Sequence, residues 1–276
     1  QSAQARLMKL DKSKSNFIAV AAHELKTPLT LIEGYAAMIG DVATQENEQM
    51  HMLIQGTHNG IRRMREIVDD MIDVSQIDNH LLVMNFQPVW LNRIFNMLEA
   101  DFTNIIARRK HTLEIRSFAG SEELLFADPE RLYQALKNLV SNAIKYTPDG
   151  GRITVDGRTL PGFVEITIAD TGIGIAPENQ EIIFEKFGQL GDVSLHSSGK
   201  TKFKGGGPGL GLAITKGIIE AHQGSVWVES EGYDEVRCPG SIFHVLLPLR
   251  TQPSDPKLAK LFGAGENSTA QPPDDF

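Results

Sequence analysis

The sequence predicts a long α-helical hairpin of the kind that pairs into a dimeric four-helix bundle, followed by an α/β domain. Three observations predict it. Apolar residues in the first 84 positions recur at alternating steps of four and three. That periodicity breaks off around Val83, Met84 and Asn85. From residue 86 to about residue 250, short apolar or alternating runs then take turns with segments of helical spacing.

In the first helix the apolar positions are Ile18, Ala22, Leu25, Leu29, Ile32, Ala36 and Ile39, with Leu7 and Leu10 upstream, and Gly40-Asp41 is its stop. The second helix is predicted from about Gln45 to about Leu82, with Ile61, Met64, Val68 and Met71 on its seam. A hairpin this long cannot bury such a seam alone, so a homodimer is expected. Strands follow at Phe86 to Trp90, His111 to Arg116 and Leu124 to Ala127, with a helix from Leu91 to Arg109 between the first two. Asp128-Pro129 opens a helix to about Tyr146, with Pro at the first helical position. Ile153 to Val155, Val164 to Ile168, Val226 to Val228 and Ile242 to Leu247 are further strands, and a helix spans about Leu210 to His222. The Gly-rich stretch from about Gly188 to Gly207 reads as a long functional loop. The predicted division is 1–84, 85–250 and a disordered tail rich in Pro, Ser, Asp and Gly over 251–276.

Of the 276 residues, 41% are hydrophobic, enough for a core, and the net charge of −8 argues against nucleic acid as a partner. A single cysteine, Cys238, allows no internal disulfide and suits a reducing, cytoplasmic setting. No apolar run is long enough to cross a bilayer. The chain starts at Gln1, so it is expected to be a piece of a longer protein with a sensor, and with room for a membrane anchor, upstream.

Two constellations carry chemistry. The first is His23-Glu24-Leu25-Lys26-Thr27-Pro28, inside a helix. His23 lies beside the seam and faces outward, with Thr27 one turn on. A neutral imidazole can attack phosphorus with one nitrogen, and Glu24 can take the proton that the other must lose. A mid-helix Pro costs about 3 kcal/mol and calls for a reason.

The second constellation has four segments. Asn138, Asn142, Lys145 and Tyr146 share one broad helix face. An amide oxygen there can join phosphate oxygens and waters around Mg²⁺, and a lysine can neutralise phosphate. Asp170-Thr171-Gly172-Ile173-Gly174-Ile175 places a carboxylate at a strand end, where it can accept from an adenine amino group. Phe184-Glu185-Lys186-Phe187 can anchor the base of a moving lid. Gly205-Gly206-Gly207-Pro208-Gly209-Leu210-Gly211-Leu212 runs into a helix whose first N–H groups favour anions, with Lys200, Lys202 and Lys204 just upstream.

The hexapeptide at His23 resembles the phosphoacceptor motif of the sensor histidine kinases of two-component systems. The four later segments resemble the N, G1, F and G2 boxes of that family's ATP-binding domain, of the Bergerat or GHKL type. The resemblance implies a mixed sheet with helices on one face, ATP and Mg²⁺ as cofactors, and autophosphorylation followed by transfer to a response-regulator receiver domain. By that likeness His23 is phosphorylated, Glu24 is its base, and Thr27 serves in dephosphorylating the partner. Asn142 is the Mg²⁺ ligand, Asn138 and Lys145 lie near phosphate, Tyr146 lies near the nucleoside, and Asp170 reads adenine. Gly172, Gly174 and Phe187, with Gly205, Gly207, Gly209, Leu210 and Gly211, complete the nucleotide contacts. ATPases of the same fold in the gyrase, chaperone and mismatch-repair groups carry a Glu where this chain has Asn138, so a kinase is favoured over an ATPase. Pro208 stands where the family often has Thr or Ser.

Overall fold

The computed structural model describes residues 48–186 and 209–249, together with 24, 25, 27, 28, 30–32, 34, 35, 37–39 and 203. His23, Phe187, Gly205 and Gly207 lie outside the described residues, as do the lysines of 200–204, Pro208 and the segment 251–276.

The described residues between 24 and 39 are helical and run antiparallel to helix α1, Glu48–Asp78. Arg63 reaches Glu24 at 3.5 Å, Gly60 lies under Ile32 and the Pro28 carbonyl, and Gly56 lies against the Tyr35 ring. The buried row of α1 is Leu53, Gly60, Ile67 and Val74, a strict heptad whose last member packs into the core of the following domain. The seam expected from the sequence lies beside this row, on a face that a single hairpin leaves open. Ile61 and Val68 are exposed, with Ile54 beside them, while Met64 and Met71 are half-buried. A heptad pattern fixes that a face is apolar but not which neighbour covers it, and α1 carries two such rows side by side. The helix also stops at Asp78 rather than near Leu82, in a turn with His80 at φ 54°.

Strand β1 (Gln87–Trp90) starts one residue later than expected and pairs antiparallel with β3 (Leu124–Ala127) in a two-stranded sheet of its own. Helix α2 (Leu91–Arg109) and strand β2 (Thr112–Ile115) precede a short helix α3 (Ala119–Glu122) that the sequence did not suggest. Helix α4 spans Pro129–Tyr146, with the Asp128 carboxylate accepting the Arg131 N–H as N-cap. Strands β4 (Arg152–Leu160) and β5 (Phe163–Asp170) are one long hairpin, well beyond the short runs predicted at 153–155 and 164–168. Two 3₁₀ turns, Pro177–Asn179 and Ile182–Phe184, lead away from it. Helix α5 (Gly211–Ala221), β6 (Ser225–Glu229) and β7 (Ser241–Pro248) complete the described part.

The five-stranded sheet has the order β2-β4-β5-β7-β6, with β2 parallel to β4 and every other pair antiparallel. It is the mixed sheet that the resemblance implies. Alternate residues explain its layering. Ile153 and Val155, Val164, Ile166 and Ile168, and Phe243, Val245 and Leu247 face the core, and Leu132, Leu136, Leu139 and Val140 of α4 with Ile214 and Ile218 of α5 pack into the same core. Val74 of α1 belongs to that core as well, and Ile77 abuts Gly217 of α5. Asp73 fastens the junction by accepting from Arg131 at 2.7 Å and from Gln134 at 2.6 Å. No helix among the described residues is long and apolar enough to cross a membrane.

His222 ties α5 to α4. Its Nε2 accepts the buried Asp128 N–H at 3.0 Å, so Nδ1 carries the hydrogen and donates to the Ile218 carbonyl at 2.9 Å. Replacing His222 by Ala strands that N–H in the interior and removes the edge contact with Phe86. Urea unfolding of the variant is expected to show a loss of about 2–4 kcal/mol. An unchanged midpoint would mean that the bond contributes nothing.

Candidate functional site

Three stretches distant in sequence meet along the second half of α4. Helix α4 brings Asn138, Asn142, Lys145 and Tyr146 to its open side, each half-buried, while the opposite side fills the core. Asp170 is the last residue of β5, inside the strand rather than just beyond it, and registers with Ile153 and Ser241. The chain then turns back on the end of α4: the Ile173 N–H donates to the Tyr146 carbonyl at 3.1 Å. On the other flank, Asn138 Nδ2 donates to the Gly211 carbonyl at 3.1 Å, so the first turn of α5 is held against the middle of α4. Thr215 strengthens that contact by donating to the same carbonyl at 2.8 Å.

Of the sequence-predicted residues, the structure therefore brings together Asn138, Asn142, Lys145, Tyr146, Asp170, Gly172, Gly174, Gly209, Leu210 and Gly211. Leu210 is fully buried and anchors the start of α5, and Gly209 has φ +71°, a conformation that glycine adopts without strain. The N-terminal turn of α5 presents N–H groups without intrahelical partners, and no acidic residue occupies it to compete with an anion. Lys145 lies over the Tyr146 ring, its Nζ 4.8 Å from the centroid, at the same end of α4. Glu24 and Thr27 belong to the hairpin. The Glu24 carboxylate is buried and paired with Arg63, and Thr27 is half-buried.

Among the described residues Asp170 is the most perturbed carboxylate. Burial pushes its pKa up to about 7, against the Gly172 and Ser241 backbone N–H groups, which favour the charged form. The Gly172 N–H bond is 2.8 Å long. Both fixed neighbours are donors, so the carboxylate keeps lone pairs able to accept one more, which is what the resemblance expects of an adenine amino group. Only the carboxylate form serves. ATP affinity is therefore expected to fall about tenfold per pH unit below 7 and to level off above 8, with a proton released on binding. Stability has the opposite sign. A raised carboxyl pKa stabilises the unliganded fold below about 4, and that contribution is lost as pH rises through about 7. The ATP-induced increase in melting temperature should thus grow from pH 6 to pH 8, and a flat profile would contradict the assignment.

Sequence reasoning missed Arg109. Its guanidinium is buried at the C-terminus of α4, donating to the Ile144 and Thr147 carbonyls at 2.8 Å each and pairing with Asp149 at 2.6 Å. It satisfies orphan carbonyls there and complements the helix dipole, so it fixes the last turn that carries Lys145 and Tyr146. Only its place at the end of a predicted helix hinted at it, because its partners are more than 30 residues away.

Two family models match the chain. Residues 13–80 match the His Kinase A (phospho-acceptor) domain, and residues 127–251 match the histidine kinase-, DNA gyrase B- and HSP90-like ATPase. The order and placement of the two matches are those of the hairpin and the mixed-sheet site. The chain belongs to the sensor histidine kinases of two-component systems.

Among curated histidine kinases, this chain is similar to the sensor histidine kinase WalK of Bacillus subtilis, 28% identical over 90% of this chain and 38% of that protein. It is also similar to the sensor histidine kinase CusS of Escherichia coli O6:H1, 34% identical over 85% of this chain and 45% of that protein. It thus spans less than half the length of these two relatives. In fold it is similar to the histidine kinase ThkA, solved in complex with the response regulator protein TrrA, with a TM-score of 0.58 and 23% identity over 89% of this chain and 64% of that one.

Proposed function

We propose that this histidine kinase chain binds ATP with Mg²⁺ beside α4, transfers the terminal phosphoryl group to His23, and passes it to an aspartate of a response-regulator receiver domain. The observation that carries the proposal is the pair of bonds Asn138 to Gly211 and Ile173 to Tyr146. They bring the start of α5 and the Asp170 turn against the second half of α4, which supports reading the first as the phosphate site and the second as the adenine site.

In the transfer, an imidazole nitrogen of His23 forms a bond to the terminal phosphorus. The bond from that phosphorus to its bridging oxygen breaks, and ADP leaves with the electron pair. The other ring nitrogen gives up its proton, for which Glu24 is the adjacent acceptor. The rest is positioning and charge neutralisation by Lys145 and the N–H groups of the α5 start. Among the described residues no three His, Cys, Asp or Glu side chains form a metal cage. Asn142, half-exposed, fits a Mg²⁺ that takes most of its oxygens from phosphate and water, and the ion supplies charge neutralisation when bound. At Asn138 an amide replaces the carboxylate that would activate water, which supports transfer to protein over hydrolysis.

The working unit is a homodimer. Ile54, Ile61 and Val68 form an exposed apolar row along α1, suited to the same row of a second hairpin. The proposed division is a phosphotransfer hairpin over 1–84, a catalytic domain over 85–250 and a tail beyond. Incubation with terminally labelled ATP and Mg²⁺ tests the function. The label on the chain should be acid-labile and base-stable, and should move to a receiver domain added afterwards. Steady phosphate release with no protein label would instead indicate an ATPase.

A further inference from the structure

The strands β6 and β7 are adjacent and antiparallel, yet residues 230–240 intervene between them. Hairpin loops usually need about 2–5 residues. This one folds over the Asp170–Ile175 turn. The Asp234 N–H donates to the Ile173 carbonyl at 2.8 Å, and the Gly240 N–H to the Gly172 carbonyl at 2.9 Å. Tyr233 makes an antiparallel bridge with Gly174. The Asp234 carboxylate accepts from Val236 and Arg237 at 2.8 and 2.9 Å, which fixes the turn that aims its own N–H.

Ser230 is the hub. Its hydroxyl accepts the Ile175 N–H at 3.0 Å and donates to the Gly240 carbonyl at 2.7 Å, with the Gly232 carbonyl at 3.2 Å. One hydroxyl thus binds the far end of the adenine-reading turn to both ends of the long loop. Gln180 closes the remaining side by donating to the Ser230 and Ile175 carbonyls at 2.8 and 3.3 Å. The fit leaves no space: a Cβ on Gly174, which has φ +72°, would run into the Gly232 carbonyl, and one on Gly240 into the Asp170 carbonyl.

The consequence concerns positions rather than chemistry. The turn carries the Gly172 N–H that orients Asp170, and its other side is tied to α4 through Ile173. Clamped between α4 and residues 230–240, it cannot relax away from the base.

We propose that residues 230–240 are a clasp that preorganises the adenine-reading turn, with Ser230 as its positioning residue, so that the loop sets nucleotide affinity without touching the reacting atoms. The inference rests on the ATP-site reading above. Preorganisation strengthens binding by removing the ordering cost at the moment of association.

The test uses the whole chain and its Ser230→Ala, Ser230→Thr and Asp170→Asn variants. For Ser230→Ala, Kd and KM for ATP should rise about tenfold, with kcat for self-labelling at saturating ATP within twofold of the parent; the Thr hydroxyl should recover most of the affinity. Unchanged Kd in the Ala variant, or a loss confined to kcat, overturns the clasp. If Asp170→Asn also leaves Kd unchanged, the ATP-site reading itself has failed. Hydrogen exchange on the unmodified chain gives a second readout independent of variant folding. ATP should slow exchange of the Ile175, Asp234 and Gly240 amides together. Indifference at Asp234 and Gly240 would overturn the proposal.

Discussion

Asp170→Asn is expected to weaken ATP binding by about 10- to 100-fold, the size of a lost hydrogen bond to a charged acceptor, while the fold is kept. In the proposed complex three donors converge on this side chain: the Gly172 N–H and the Ser241 N–H, both present in the structure, and the amino group of the base. A carboxylate offers two oxygens and enough lone pairs for all three. An amide offers one oxygen, and its NH₂ must then point at another donor. The substitution is nearly isosteric, so the loss reports chemistry rather than shape. The variant should also lose the part of the fall in affinity below pH 7 that Asp170 causes, because an amide does not titrate. Calorimetric titration of both chains at pH 6 and pH 8 decides the point. Equal affinities at both pH values in the parent chain would remove Asp170 from the site.

Gly172→Ala is expected to cost a similar amount by a different route. A Cβ at this position would lie 2.5 Å from the Tyr146 carbonyl oxygen and 2.6 Å from Asp170 Oδ1. Neither atom is the end of a flexible side chain free to swing away. The carbonyl is bonded to Ile173, and the carboxylate oxygen to the Gly172 N–H. Relief therefore means separating the end of α4 from the adenine-reading turn, the two walls of the site. Overpacking of this kind costs about 1–3 kcal/mol, or roughly 5- to 150-fold in ATP affinity when the strain falls on the bound geometry. Nucleotide titration alongside a melting curve distinguishes the outcomes. Unchanged affinity would show that the two walls are not coupled.

Legibility in the sequence followed the range of the forces involved. Helix α4 was readable to the residue because Asp128-Pro129 is a local start signal and its apolar face has one period. The members of the proposed site stand out in the sequence because each lies in a short string of special residues. The hairpin β4–β5 was underestimated, since Gly157, Arg158 and the Pro161-Gly162 turn interrupt the alternation that marks a strand. On α1 the row of Ile61 and Val68 is legible as apolar, but the neighbouring row of Leu53, Ile67 and Val74 repeats at the same spacing, and only the packed chain shows that the latter turns inward while the former stays open. Arg109, Ser230 and His222 were invisible as site supports. Each acts through backbone groups far along the chain, and nothing in their neighbouring residues encodes that contact.

The proposed activity requires one nitrogen of His23 to acquire a phosphoryl group. The direct measurement is labelling with terminally radiolabelled ATP and Mg²⁺, comparing the chain with its His23→Gln variant, both shown to bind nucleotide. Acid-labile, base-stable label is expected on the chain and none on the variant. Equal label on both, or label stable to acid, would place the phosphoryl group elsewhere and contradict the proposed activity.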